Sequence, residues 1–215
     1  MRFLTILCLV AGLLVPAVPA ADTVKVIVRT TLDGKPVADA VVSATPLDHP
    51  APAALVGGTA QIEQKDQEFH PHVTAIQVGA KVFFPNHDTV QHHIYSLSKP
   101  KRFEIPLYQS GALESVVFDN PGVVTLGCNI HDWMVAYIIV LPTPYFAKTD
   151  ASGAATLPAL PAGRYRLEIW HPRAPALVVQ EISSAPDQAA VLEFSVALKP
   201  DKRIRRAPSG KATDY

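Results

Sequence analysis

The chain has 215 residues, no formal net charge at neutral pH, 20 Pro and only two Cys. Balanced charge gives no footprint for specific nucleic-acid recognition. Such a length accommodates one large domain or two small ones once a leader is set aside. Charge is nonetheless uneven: residues 21–198 carry 12 Lys/Arg against 17 Asp/Glu, and 199–215 carry six against two. The last stretch, KPDKRIRRAPSGKATDY, is poor in apolar residues and reads as a basic disordered tail.

The N-terminus reads as a leader. Met1-Arg2 is a basic start, residues 3–15 are apolar but too short to span a bilayer comfortably, and Val18-Pro19-Ala20 supplies small residues for cleavage. A signal peptide over 1–20, cut near Ala20, predicts export to the periplasm; a retained anchor is the alternative. Cys8 lies inside the apolar run, which disfavours a lipoprotein signal. After cleavage, Cys128 is the one remaining Cys and Met134 the one remaining Met, six residues apart with His131 midway. The exported compartment favours disulfides, and a lone Cys has no intramolecular partner. Cys128 is therefore either an inert buried thiol or a thiolate held by a metal.

Downstream, the ordered segments read as strands. VKVIVRT (24–30), AVVSATP (40–46), VTAIQV (73–78), KVFFP (81–85), ESVVF (114–118), GVVTLG (122–127) and VAYIIVL (135–141) are β-branched, aromatic or alternating. Asp33-Gly34, Pro85-Asn86, Asn120-Pro121-Gly122 and Ser152-Gly153 punctuate them as turns. With no convincing amphipathic helix, the fold class is all-β, built as β-sandwiches.

Two separated segments look like halves of one module. LDGKPVADAVV (32–42) is a hairpin turn and strand, and TDASGAATLPALPAGRYRLEIWHP (149–172) is a later hairpin and strand. Together they resemble the small transthyretin-like, Ig-like sandwiches called carboxypeptidase regulatory-like domains. The likeness implies a module made of 22–48 and 145–198, split by a second domain at 58–142 inserted at a loop tip. The alternative is an N-terminal strand pair packed on the central domain, followed by a separate C-terminal module.

The segment CNIHDWM (128–134) carries the chemistry. On a strand Cys128 and Met134 would face one side and His131 the other. The three side chains converge only if 128–134 is a loop between two strands, which the turn formers Asn129 and Asp132 favour. A thiolate, an imidazole and a thioether form a soft donor set that selects copper over magnesium or calcium. A further ligand is expected from FFPNHDTVQHHIYSLS (83–98), if strands 81–85 and 122–127 share one sandwich.

The central region, from AQIEQKDQEF through VFFPNHDTVQHHIYS to FDNPGVVTLGCNIHDWMVAYIIV, resembles the cupredoxin family. Its short C-x-x-H-x-x-M loop is that of amicyanin/plastocyanin-like members, including bacterial methylamine-utilisation proteins. The resemblance implies a cupredoxin Greek-key β-sandwich over 58–142 and one type 1 copper bound by His92, Cys128, His131 and Met134. There are departures. Gln91 and His93 flank His92 where the family often has Pro and a loop-bracing Asn, and His93 is the alternative ligand to His92. Gly127 replaces a larger residue, which would open one side of the site, and Asp132 replaces a frequent Pro, placing a carboxylate near the metal. His70, His72, His87 and His171 do not fit the pattern, although His70-Pro71-His72 could form a weaker second metal site. Trp133 is either core packing or part of a docking patch.

The likeness implies outer-sphere electron transfer, with no enzyme activity. Periplasmic redox proteins, such as a dehydrogenase or a c-type cytochrome, would be the partners. Copper storage, delivery or sensing without electron traffic is the alternative.

Overall fold

A computed structural model describes residues 23–53, 58–185 and 190–202. The expected leader at 1–20 and most of the expected basic tail lie outside them. The described residues form strands and turns with no helix, so the fold is all-β. In chain order the strands are β1 (Val24–Thr30), β2 (Val41–Pro46), β3 (Thr59–Gln61), β4 (Glu63–Lys65), β5 (Glu68–His70) and β6 (Val73–Gln77). Then come β7 (Lys81–Pro85), β8 (His92–Ser96), β9 (Phe103–Tyr108), β10 (Leu113–Val117), β11 (Gly122–Gly127) and β12 (Val135–Leu141). The last five are β13 (Phe146–Lys148), β14 (Ala154–Thr156), β15 (Gly163–Trp170), β16 (Val178–Ser184) and β17 (Ala190–Val196).

The central strands make one sandwich. A sheet of order β6-β12-β11-β8-β9 faces a sheet of order β10-β7-β3. Phe84, Ile94, Phe118, Leu126, Met134 and Ile138 are fully buried between them. Strands 81–85 (β7) and 122–127 (β11) share this sandwich, as expected, in its two facing sheets; His92 reaches the site because β8 runs beside β11, with Tyr95 opposite Gly127.

The outer strands make a second sandwich, with β14-β1-β17 facing β13-β2-β15-β16. β1 is parallel to β17 and antiparallel to β14. Its alternation puts Val24, Val26 and Val28 inward and Lys25 and Arg29 outward, as a sheet with one wet face requires. Tyr165, Leu167 and Ile169 of β15 close the core from the other side. Buried Thr149 ties the early and late segments together, accepting from the Ala40 N–H (2.9 Å) and donating to the Val37 carbonyl (2.7 Å).

The run VAYIIVL has a physical reason for breaking alternation. Ala136, Ile138 and Val140 of β12 point into the central core. Ile139 and Leu141 point the other way, onto Val41 of β2 and Val73 of β6, with Tyr137 and Trp170 packed alongside. Both faces of β12 are covered, so both are apolar. That third cluster joins the two sandwiches.

Candidate metal centre

The site is built on three segments of the central sandwich. β11 ends at Gly127, and residues 128–134 form the loop that leads into β12. Inside this loop the Met134 N–H donates to the His131 carbonyl (3.0 Å), closing a turn over 131–134. His92 opens β8 after the 86–91 loop. Asn86 holds that loop in shape: its side-chain amide donates to the carbonyls of Val90 (2.9 Å) and Tyr108 (3.1 Å), and its Oδ1 accepts from the Asp88 N–H (2.9 Å).

These segments bring together His92, Cys128 and His131. Their ligand atoms all lie within 4.8 Å of one another. Cys128 Sγ is 3.5 Å from His131 Nδ1 and 3.9 Å from His92 Nδ1. Donors about 2.0–2.3 Å from a shared ion, spread roughly trigonally, stand about 3.6 Å apart, so the spacing suits a common metal ion. Relative exposure is 0% for His92, 3% for Cys128, 5% for His131 and 1% for Met134, so water has almost no access. Met134 shares the core cluster of Cys128. A thiol and two imidazoles in a dry pocket make a soft donor set that fits copper. Burial lowers the His92 pKa from its ordinary value, against an opposing pull from Asp88, which favours the neutral imidazole that metal binding requires.

His93 does not join the cluster. A register irregularity between His92 and Ile94 accompanies the divergence of the two rings. His93 Nε2 lies 2.8 Å from Glu104 Oε1. The side of the site expected to be open at Gly127 is closed: a Cβ there would stand 2.9 Å from Tyr95 Cζ, so the Tyr95 ring occupies that space. Asp132 is exposed at the rim of a cleft between the sandwiches, and half-buried Trp133 lines the same cleft. Trp133 packs on His131 with ring centroids 5.2 Å apart, and its Nε1 donates to the Gln67 carbonyl (3.0 Å). His70 and His72, read as plain surface with a weaker second site as the alternative, belong to no group of three metal-capable side chains among the described residues. His72 Nδ1 sits 2.9 Å from the Val135 carbonyl, His70 Nε2 is 3.8 Å from Glu68, and the central trio is the one such metal-capable group among the described residues.

Sequence reasoning missed Asp88. Its Oδ2 lies 2.7 Å from His92 Nε2, on the far side of the ring from Cys128. The available signal was a carboxylate four residues before a ligand histidine, but in a loop that spacing fixes no contact.

No family model and no curated protein matches the chain. Among solved structures it is similar to a purple cupredoxin from Nitrosopumilus maritimus, with 29% identity, 38% of this chain and 99% of that chain covered, and a TM-score of 0.35. A methionine-to-alanine point mutant of amicyanin in its Cu(I) form is 16% identical, with 46% and 99% covered and a TM-score of 0.37. The Cu-containing nitrite reductase of Thermus scotoductus SA-01 is 22% identical, with 54% of this chain covered and a TM-score of 0.37; the match spans only 28% of that enzyme. At these TM-scores the likenesses add nothing to the reading of the site. Fold and donor set together define an all-β protein with a buried His/Cys/His cluster at one end of a β-sandwich.

Proposed function

We propose that the chain is a periplasmic copper-binding electron-transfer protein of the cupredoxin type. His92, Cys128, His131 and Met134 would hold a single type 1 copper. The observation that carries this is the convergence of one thiol and two imidazole nitrogens within 4.8 Å, all buried. Copper bound there would supply one-electron exchange between Cu(I) and Cu(II). The chain's own part is to hold the donors still. Strands on either side fix the ends of the ligand loop, and Asn86 fixes the loop before His92. Donors held in this way would reorganise little on electron exchange, and the exclusion of nearby water would lower the solvent part of the cost. A shell made by those four side chains would leave no substrate position open, which favours a carrier over an enzyme. His131 and Trp133 in ring contact offer the route to the surface.

We further infer that the central sandwich is a unit inserted into a split Ig-like module. Support comes from β1 pairing with β14 and β17, and from β2 pairing with β13 and β15. The outer module would place the carrier against periplasmic redox partners, a dehydrogenase or a c-type cytochrome. Among the described residues no helix is long and apolar enough to cross a membrane.

The test is the visible spectrum of residues 21–215 after addition of Cu(II), repeated with Cys128→Ser. An intense thiolate-to-copper band that vanishes in the variant is expected. A colourless Cu(II) complex of the unmodified protein overturns the type 1 reading. A reversible redox wave separates electron transfer from storage or delivery, in which copper would instead exchange readily.

A further inference from the structure

We infer that Asp88 is a positioning residue of the metal centre: its carboxylate holds the His92 ring in the tautomer that directs the Nδ1 lone pair toward Cys128. This inference rests on the copper reading above. An ionised carboxylate only accepts hydrogen bonds. At 2.7 Å from Asp88 Oδ2, His92 Nε2 must therefore carry the proton. That leaves Nδ1, the nitrogen facing Cys128 Sγ, as the unprotonated donor atom.

Asp88 is itself held rigidly. Its side chain is 12% exposed and that of His92 is 0% exposed, so the pair is little screened. Asp88 Oδ1 accepts from the Asp66 N–H (2.6 Å) and Oδ2 from the Gln67 N–H (2.9 Å). Asp66 and Gln67 form the turn between β4 and β5, and both adopt φ of 56°, a left-handed conformation that disfavours non-glycine residues by about 1–2 kcal/mol each. The two N–H···carboxylate bonds offset that strain and fix where the turn sits. The same Gln67 then accepts, through its carbonyl, from Trp133 Nε1. One hydrogen-bonded path thus runs from His92 through Asp88 and Gln67 to Trp133, and Trp133 packs on His131. Both imidazoles are braced by one turn, 4.9 Å apart between ring centroids. The carboxylate also sets a negative charge one imidazole away from the metal position, which favours the more highly charged Cu(II) and lowers the reduction potential.

The test uses residues 21–215 with Asp88→Asn and Asp88→Ala, and begins without metal. Nitrogen-15 NMR of metal-free protein should show His92 protonated at Nε2, and a mixture of tautomers in Asp88→Ala. With copper added, affinity measured by chelator competition should fall roughly 10–100-fold in Asp88→Ala, the usual range for losing such a partner. The reduction potential should rise in Asp88→Asn, whose neutral amide matches the carboxylate in size and can still accept from His92 and Gln67 while giving up the Asp66 N–H; this variant also serves if the alanine variant does not fold. Unchanged tautomer and unchanged potential, in variants that still show the thiolate–copper band, would overturn the role of Asp88 and leave the copper reading standing. If the unmodified protein lacks the band, the copper reading fails, and the tautomer measured without metal still decides whether Asp88 orients His92.

Discussion

Asn86→Ala offers a demanding check of how this fold builds its site. The Asn86 side chain is fully buried and makes three hydrogen bonds: to the Val90 carbonyl, to the Tyr108 carbonyl and from the Asp88 N–H. Truncation leaves all three partners short of a bond. Two are partly buried, worth about 1 kcal/mol each, while the Tyr108 carbonyl is buried and costs about 1–2 kcal/mol when abandoned, so the total is about 3–4 kcal/mol. Asn86→Asp keeps the acceptor for Asp88 but turns a carboxylate toward two carbonyl oxygens, so it should be at least as damaging. The assay is urea unfolding of the metal-free protein followed by tryptophan fluorescence. The chain has two Trp: Trp133 reports on the ligand loop and Trp170 on the end of β15. With a urea dependence of about 1–3 kcal/mol per molar, the transition seen by Trp133 should drop by on the order of 1–4 M. A midpoint within about 0.3 M of the unmodified protein would show that Asn86 does not clamp the 86–92 loop, and the account of how His92 is placed would fall with it.

Two other substitutions probe separate parts of the structure. His93→Gln should keep the thiolate–copper band, because His93 pairs with Glu104 away from Cys128, whereas His92→Gln should lose it; absorbance titration with Cu(II) decides, and loss in the first variant would reverse the ligand assignment. Gly153→Ala should destabilise the outer sandwich by about 2 kcal/mol or more, because φ is +77° and the added Cβ would collide with the Val28 carbonyl oxygen. Thermal unfolding should register this loss while the copper band at room temperature stays intact, since the ligands belong to the other core.

Much of the strand content was legible along the chain. The segments 24–30, 81–85, 122–127 and 135–141 coincide with β1, β7, β11 and β12, because β-branched runs bounded by Gly, Pro and Asn leave few local alternatives. The loop character of 128–134 was also legible, since turn formers sit between two strand-like runs. β9 (Phe103–Tyr108) and β16 (Val178–Ser184) were not. Exposed Leu107, Val179 and other half-buried positions blur their alternation, and neighbours across the sheet rather than local pattern hold them.

The site divides along the same line. Residue chemistry pointed to Cys128, His131 and Met134, because soft donors at short spacing in a loop have few other joint uses; His92 came only with the resemblance to the cupredoxin family. Sequence could not choose between His92 and His93 on spacing, since adjacent residues differ only in which way they face, and the irregular pairing of β8 with β9 accompanies that choice. Gly127 suggested an opening that Tyr95, placed opposite it by strand pairing, fills. The bracing of Asp88 was invisible because its contacts with Gln67 and Asp66 join positions 21 and 22 residues apart. What the chain determines by itself is the inventory of donors and the strands that frame them. Which donors meet, and what braces them, is decided by register and sheet order, because hydrogen bonds of this kind form only where the whole fold sets two distant backbones a few ångströms apart.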